Sequence, residues 1–209
     1  MTIKQKANFV IERLDALYPN PSIPLNHTSN FTFLVAVILS AQCTDKRVNE
    51  ITPILFKKAS TAKEMSKLSE QEIFDIIRPC GLAPSKSKNI KLMSQTLCEK
   101  YGGEVPNTFE ELESLAGVGH KTASVLMSQA FGQPAFPVDT HIHRLATRWG
   151  FTSGKSVEQT EADLKKIFPK EKWHNLHLQL IYYGREHCSA RSCKTPETYC
   201  QICQKLRKK

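Results

Sequence analysis

The residues of this chain best suited to chemistry lie in two short stretches and one cysteine cluster. The first stretch is Leu115-Ala-Gly-Val-Gly-His-Lys-Thr-Ala123. Two glycines let a backbone turn sharply and come close to a ligand without Cβ atoms in the way. A helix that starts after such a turn presents N–H groups and the positive end of its dipole, which can hold a DNA phosphate without reading sequence. This is the logic of a helix-hairpin-helix element, with a second helix over 121–131 and Lys121 at its start. A Walker A loop needs glycine directly before Lys-Thr and a strand ahead, whereas here His120 intervenes and a helix precedes. The plainer alternative is a tight turn carrying an ordinary surface lysine.

The second stretch is Pro137-Val-Asp-Thr-His-Ile-His-Arg144. It places Asp139 at the N-cap of a helix running to Trp149, where the dipole and the N–H groups favour a fixed negative charge. Asp139 as a cap and nothing more is the competing reading. His141 and His143 do not form a metal pair on a helix, because residues two apart face different ways. The third feature is Cys188, Cys193, Cys200 and Cys203, crowded together while Cys43, Cys80 and Cys98 are scattered. With no secretion signal recognised, such a cluster reads as metal ligands before disulfides, and the scattered thiols as small buried hydrophobes.

Helices must position these groups. A Ser or Thr followed three positions later by Glu or Gln predicts helix starts at Thr61 with Glu64, Ser69 with Glu72, Thr108 with Glu111 and Ser156 with Gln159. Hairpin turns of the Asn-Gly or Asp-Gly kind do not occur, and apolar residues recur at three and four, as in Ile73, Ile76 and Ile77. The expected fold class is all-α. Phe31 to Leu39 could by pattern alone be a buried strand, but with no partner strand nearby it reads as a buried helix. Pro and Gly punctuate the chain at 19–24, 79–84, 102–106, 117–119 and 132–137. The expected domains are 24–133, and a second one in which 1–23 packs with 134–209.

Net charge is +9, from 29 Lys plus Arg against 20 Asp plus Glu, which favours a polyanionic partner. The longest apolar run, Phe33 to Leu39, is far below the ~20 residues of a membrane span. The N-terminus alternates Lys with polar residues, unlike a signal peptide. The expectation is a cytoplasmic monomer without a membrane partner, nucleoid-associated if bacterial.

Together with Ser40-Ala-Gln-Cys-Thr-Asp45 and Cys80-Gly-Leu82, these stretches closely resemble the endonuclease III family of DNA glycosylases along nearly the whole chain. The resemblance implies a helical-barrel domain plus a second helical domain made from both chain ends. It implies base excision repair of double-stranded DNA carrying a damaged pyrimidine or an abasic site, with the nucleotide flipped out of the duplex. Lys121 is then the nucleophile at C1′, acting as a neutral amine favoured by burial beside a helix N-terminus. Asp139 stabilises positive charge on the sugar. The Schiff base acidifies the C2′ proton, so that β-elimination cuts the strand 3′ to the lesion. Gln42 and Leu82 match the residues that fill the gap left by the flipped nucleotide, although Leu82 as core packing is the bland reading. Gly117, Val118, Gly119, His120, Thr122, His141 and Arg144 are the remaining expected DNA contacts, with Asp45 and Glu113 in support.

The family's [4Fe-4S] ligands are spaced C-x6-C-x2-C-x5-C, whereas this chain has C-x4-C-x6-C-x2-C. With Cys188, Cys200 and Cys203 aligned, the fourth position is Lys209, so Cys193 must supply the last thiolate. Iron-sulfur, zinc and no metal all stay open, with iron-sulfur ahead on the resemblance. The segment is basic in each case, through Arg185, Arg191, Lys194, Lys205, Arg207, Lys208 and Lys209. An adenine mismatch glycosylase keeps the aspartate, but typically lacks the lysine and carries a further C-terminal domain for which this chain leaves no room. A non-catalytic helix-hairpin-helix module would leave Asp139, Gln42 and Leu82 without a role.

Overall fold

A computed structural model describes residues 1–207; Lys208 and Lys209 of the basic segment, the latter the aligned fourth cluster position, lie outside the described residues. Among the described residues every regular element is helical. The chain divides into two units, one comprising Met1–Ser22 together with the stretch from Gly132 onward, the other Ile23–Phe131.

The Ile23–Phe131 unit is organised around α2 (Asn30–Ser40), whose residues 31–39 are all buried. A helix apolar on every side can only sit inside a bundle, and α2 packs against α3 (Asp45–Lys58), α6 (Ala83–Lys100) and α8 (His120–Gln129). Burying each of its Val, Leu, Ile and Phe side chains contributes about 1.5–3 kcal/mol. Its C-terminal carbonyls are met by a buried ammonium: Lys86 Nζ donates to Leu39 O at 2.8 Å and to Ala41 O at 2.6 Å. The short α4 (Ala62–Met65) and α5 (Glu70–Ile77) pack on α6, and α7 (Phe109–Glu113) packs on α8.

All four predicted starts cap helices. Thr61 with Glu64 and Ser69 with Glu72 are reciprocal capping boxes. Thr108 caps α7, but Glu111 accepts from its hydroxyl at 2.7 Å rather than from its amide. Ser156 caps α10 (Val157–Ile167), while Gln159 turns to Asp163 at 2.7 Å. Boxes also lie outside the predicted set, among them Thr2 with Gln5 at α1 (Ile3–Leu17) and Ser29 with Thr32 at α2. The second helix of the hairpin spans His120–Gln129, slightly displaced from the expected 121–131.

In the other unit, α1 packs against α10, α11 (Trp173–Glu186) and α12 (Gln201–Leu206), and α9 (Thr140–Trp149) lies against α10, α11 and α12. Val10 and Leu14 of α1 join Ile142, Leu145, Trp149, Leu176, Leu180 and Tyr183 in one core. Its aromatic rings meet edge to face, Trp149 with Tyr183 at 5.8 Å and Phe151 with Phe168 at 5.3 Å. Cys188, Cys193 and Cys203 belong to this same core.

Candidate functional site

The hairpin between α7 and α8 needs one glycine for its shape and not two. Gly117 has φ +80, and a Cβ there would lie 2.9 Å from Asn89 Cβ on α6. Gly119 has φ −97 and ψ 177, an extended geometry open to any residue, and a Cβ there would meet nothing within 4 Å. Its small size serves no contact within the protein. Val118 is 6% exposed, so it anchors the turn and can offer a ligand only its backbone. Gly119 is the N-cap of α8 and has no side chain with which to cap the helix.

Lys121 is the second residue of α8 and is exposed, not buried as expected. Thr122 beside it is half-buried. His120 Nδ1 lies 2.7 Å from Glu113 Oε1, and its ring stacks on Phe109 at 5.6 Å. Glu113 thus fixes the imidazole at the mouth of the turn.

Gln42 and Leu82 come together in the same unit. Both have left-handed backbones, φ 52 and φ 60, which non-glycine residues adopt at a cost and mainly where function or packing demands it. Between them stands Gly81, where a Cβ would lie 2.6 Å from the Gln42 carbonyl oxygen. Leu82 is 52% exposed, which removes the core-packing reading. Gln42 is exposed too. Beneath the two loops the thiol of Cys80 is pushed up to about 11 by burial and by its hydrogen bond with Cys43. Asp45 opens α3, one residue after the N-cap Thr44.

Asp139 is the N-cap of α9, its Oδ1 accepting from Ile142 N at 2.8 Å. His141 and Arg144 lie one turn on and share a hydrogen bond at 3.1 Å. Burial first, then the positive charges of Arg144 and Arg185, lower the His141 imidazole from its ordinary value, with Asp139 and Gly184 opposing. Arg144 Nη2 donates to Gly184 O at 2.8 Å and Cys188 O at 3.0 Å, so this guanidinium holds the end of α11. Gly184 allows that approach, since a Cβ there would lie 3.0 Å from His141 Cβ.

The four clustered cysteines converge, with their sulfurs all within 4.8 Å of one another. A group so placed can hold a metal ion. Arg148, absent from the expected site, donates to Cys188 Sγ at 3.1 Å and to Ser189 O at 2.8 Å. Its spacing of four from Arg144 on one helix was the available signal. Lys86 carried no sequence signal at all.

Residues 35–170 match the model of the HhH-GPD superfamily base excision DNA repair proteins. Endonuclease III of Bacillus subtilis (strain 168) is 40% identical over 100% of this chain and 97% of its own length. Endonuclease III of Escherichia coli (strain K12) is 43% identical over 90% of this chain and 89% of its own. The solved structure of a non-covalent endonuclease III–DNA complex superposes with a TM-score of 0.90 at 40% identity, covering 100% of both chains.

Proposed function

This chain belongs to the endonuclease III family of the HhH-GPD superfamily, and from that premise we propose how its own residues divide the work. The enzyme is a DNA glycosylase and AP lyase of base excision repair, acting on damaged double-stranded DNA. The preferred substrates are oxidised pyrimidines and abasic sites. The observation that carries the residue assignment is Lys121 in the first turn of α8, behind the uncapped Gly119.

The N–H groups at the start of α8, with Gly119 giving close approach, hold a backbone phosphate beside the lesion. His120, braced by Glu113, lines the same turn. Gln42 fills the gap left by the everted nucleotide and pairs with the orphaned base, while Leu82 wedges the stack open. The amine of Lys121 attacks C1′, and the bond to the base breaks with its electron pair leaving on the base, which takes up a proton. Loss of the amine proton and opening of the sugar give a Schiff base to Lys121. Removal of the C2′ proton then expels the 3′ phosphate, completing β-elimination. Asp139 stabilises the sugar cation and assists proton transfer. Its cap bond to Ile142 holds one oxygen in place while the other stays available. His141 and Arg144 set the orientation of α9 beneath it.

The four cysteines bind a metal that orders the basic segment after α11. The family's [4Fe-4S] cluster is the occupant implied by the resemblance, but these sulfurs stand closer together than a cubane requires, and no catalytic step runs through it. No helix among the described residues is long and apolar enough to cross a membrane. A DNA substrate places the working enzyme in the cytoplasm, on the nucleoid in a bacterium.

Borohydride trapping tests the assignment. Enzyme mixed with duplex DNA holding an abasic site becomes covalently linked on reduction, and Lys121→Ala abolishes the adduct. A Lys121→Ala protein that traps as well as the parent refutes the nucleophile.

A further inference from the structure

The Cys188 and Cys203 sulfurs are 3.7 Å apart, and no pair among the four exceeds 4.8 Å. A regular tetrahedron with edges in that range has its centre about 2.3–2.9 Å from each corner, and the short end matches the zinc–thiolate bond of about 2.3 Å. A cubane has an iron at each corner of its own tetrahedron, with each thiolate pointing outward from one, so its cysteine sulfurs stand roughly 6 Å apart. The four sulfurs here enclose room for one ion and not for four irons and four sulfides.

Chain spacing departs from the cluster pattern at one ligand. Cys188 and Cys193 are separated by four residues, and Cys200 and Cys203 by two. Both pairs fall in the C-x2–4-C range of structural zinc sites; Cys193-x6-Cys200-x2-Cys203 repeats the first three positions of the cluster-binding pattern, but the position after a further x5 interval is Lys209 and the fourth thiolate here stands upstream as Cys188. Cys193 also carries a left-handed backbone, φ 55, a conformation retained where a specific geometry is demanded. That turn brings its sulfur to accept from Cys200 N–H at 3.1 Å, while Cys188 Sγ accepts from Arg148. Such donors offset part of the charge of four thiolates and fix their directions.

Resting on the reading of these four cysteines as a metal site, we propose that this chain binds a single zinc ion in a tetrahedron of four cysteine thiolates in place of an iron-sulfur cluster. One Zn²⁺ displaces four thiol protons to solvent, leaving a tetrathiolate of net charge two minus, which the Arg148 guanidinium faces. The ion clasps the loop after α11 to α12 and has no redox chemistry of its own, so the fold of this unit is insensitive to the redox state of the metal.

The test is metal content. Full-length protein is purified anaerobically from cells supplied with iron and co-expressing cluster-assembly proteins, and zinc, iron and acid-labile sulfide are counted per chain. The expected result is one zinc, no sulfide and no visible absorption, with Co²⁺ exchange giving the intense visible bands of a tetrahedral thiolate site. Cys193→Ser should lower zinc severalfold, with circular dichroism reporting whether it folds; if it does not, the count on the parent still decides. Four irons with four sulfides, a single iron, a metal-free chain, or full zinc retention by folded Cys193→Ser would each overturn the proposal. These counts involve no DNA. A failed borohydride trap leaves them standing, and a metal-free protein that traps DNA refutes the zinc alone.

Discussion

Gly81→Ala isolates the approach between the two loops that carry Gln42 and Leu82. The added Cβ would lie 2.6 Å from the Gln42 carbonyl oxygen, 0.8 Å inside the 3.4 Å at which ordinary contact begins. Gly81 itself is not among the glycines with positive φ, so alanine meets no dihedral penalty and the whole effect is steric. The obstacle is a backbone atom of a residue already in the left-handed region, which cannot swing aside as a side chain would. Overpacking of this kind costs about 1–3 kcal/mol. For a chain of this size that corresponds to a fall in Tm of roughly 2–12 °C, at about 2–4 °C per kcal/mol. Gln42 and Leu82 would move apart by a good fraction of an ångström, and misplacement on the 1 Å scale costs on the order of 100-fold in rate. Differential scanning calorimetry reads the first effect, and single-turnover excision of thymine glycol from duplex DNA reads the second. An alanine variant with the parent's Tm and excision rate would show that the loops do not depend on this contact.

Gly119→Ala should fold within about 1 kcal/mol of the parent, since its Cβ meets nothing in the protein, yet bind abasic duplex severalfold more weakly by fluorescence anisotropy. Equal affinity would remove close approach as the reason for that glycine. Lys86→Met strips the charged donor from Leu39 O and Ala41 O and should destabilise the chain by about 1.5–3 kcal/mol in urea titration. A neutral outcome would mean that water replaces it. His141 has its imidazole lowered chiefly by burial, so the folded state binds a proton less readily than the unfolded one. Its contribution is complete above the ordinary 6.5 and is lost as pH falls below that value toward the folded pKa. His141→Gln should flatten that part of the stability–pH curve, and an unchanged curve would count against it.

What could be read from the sequence was short in range. The buried α2, the caps of α4, α5, α7 and α10, the glycine hairpin, and Asp139 as the cap of α9 all depend on residues a few positions apart. Hydrogen bonds of that reach close within one helical turn, so the spacing of residue types already contains them. The second glycine of the hairpin was legible as a motif, but nothing local distinguished Gly117, which the fold requires, from Gly119, which it does not.

Tertiary structure alone decided the rest. Lys86 caps a helix 47 residues away, and Arg144 and Arg148 bind the Cys188 carbonyl and sulfur across 44 and 40 residues. Residue types at such separations have no fixed spacing, because the helices between them set the distance by packing and not by count. The exposure of Lys121 and Leu82 is likewise a property of what else fills the surface. The cysteine cluster shows the divide most clearly. Its four members and their altered intervals were visible in the chain, whereas the convergence of their sulfurs to within 4.8 Å of one another exists only once α11 and α12 and the loop between them have closed on one another.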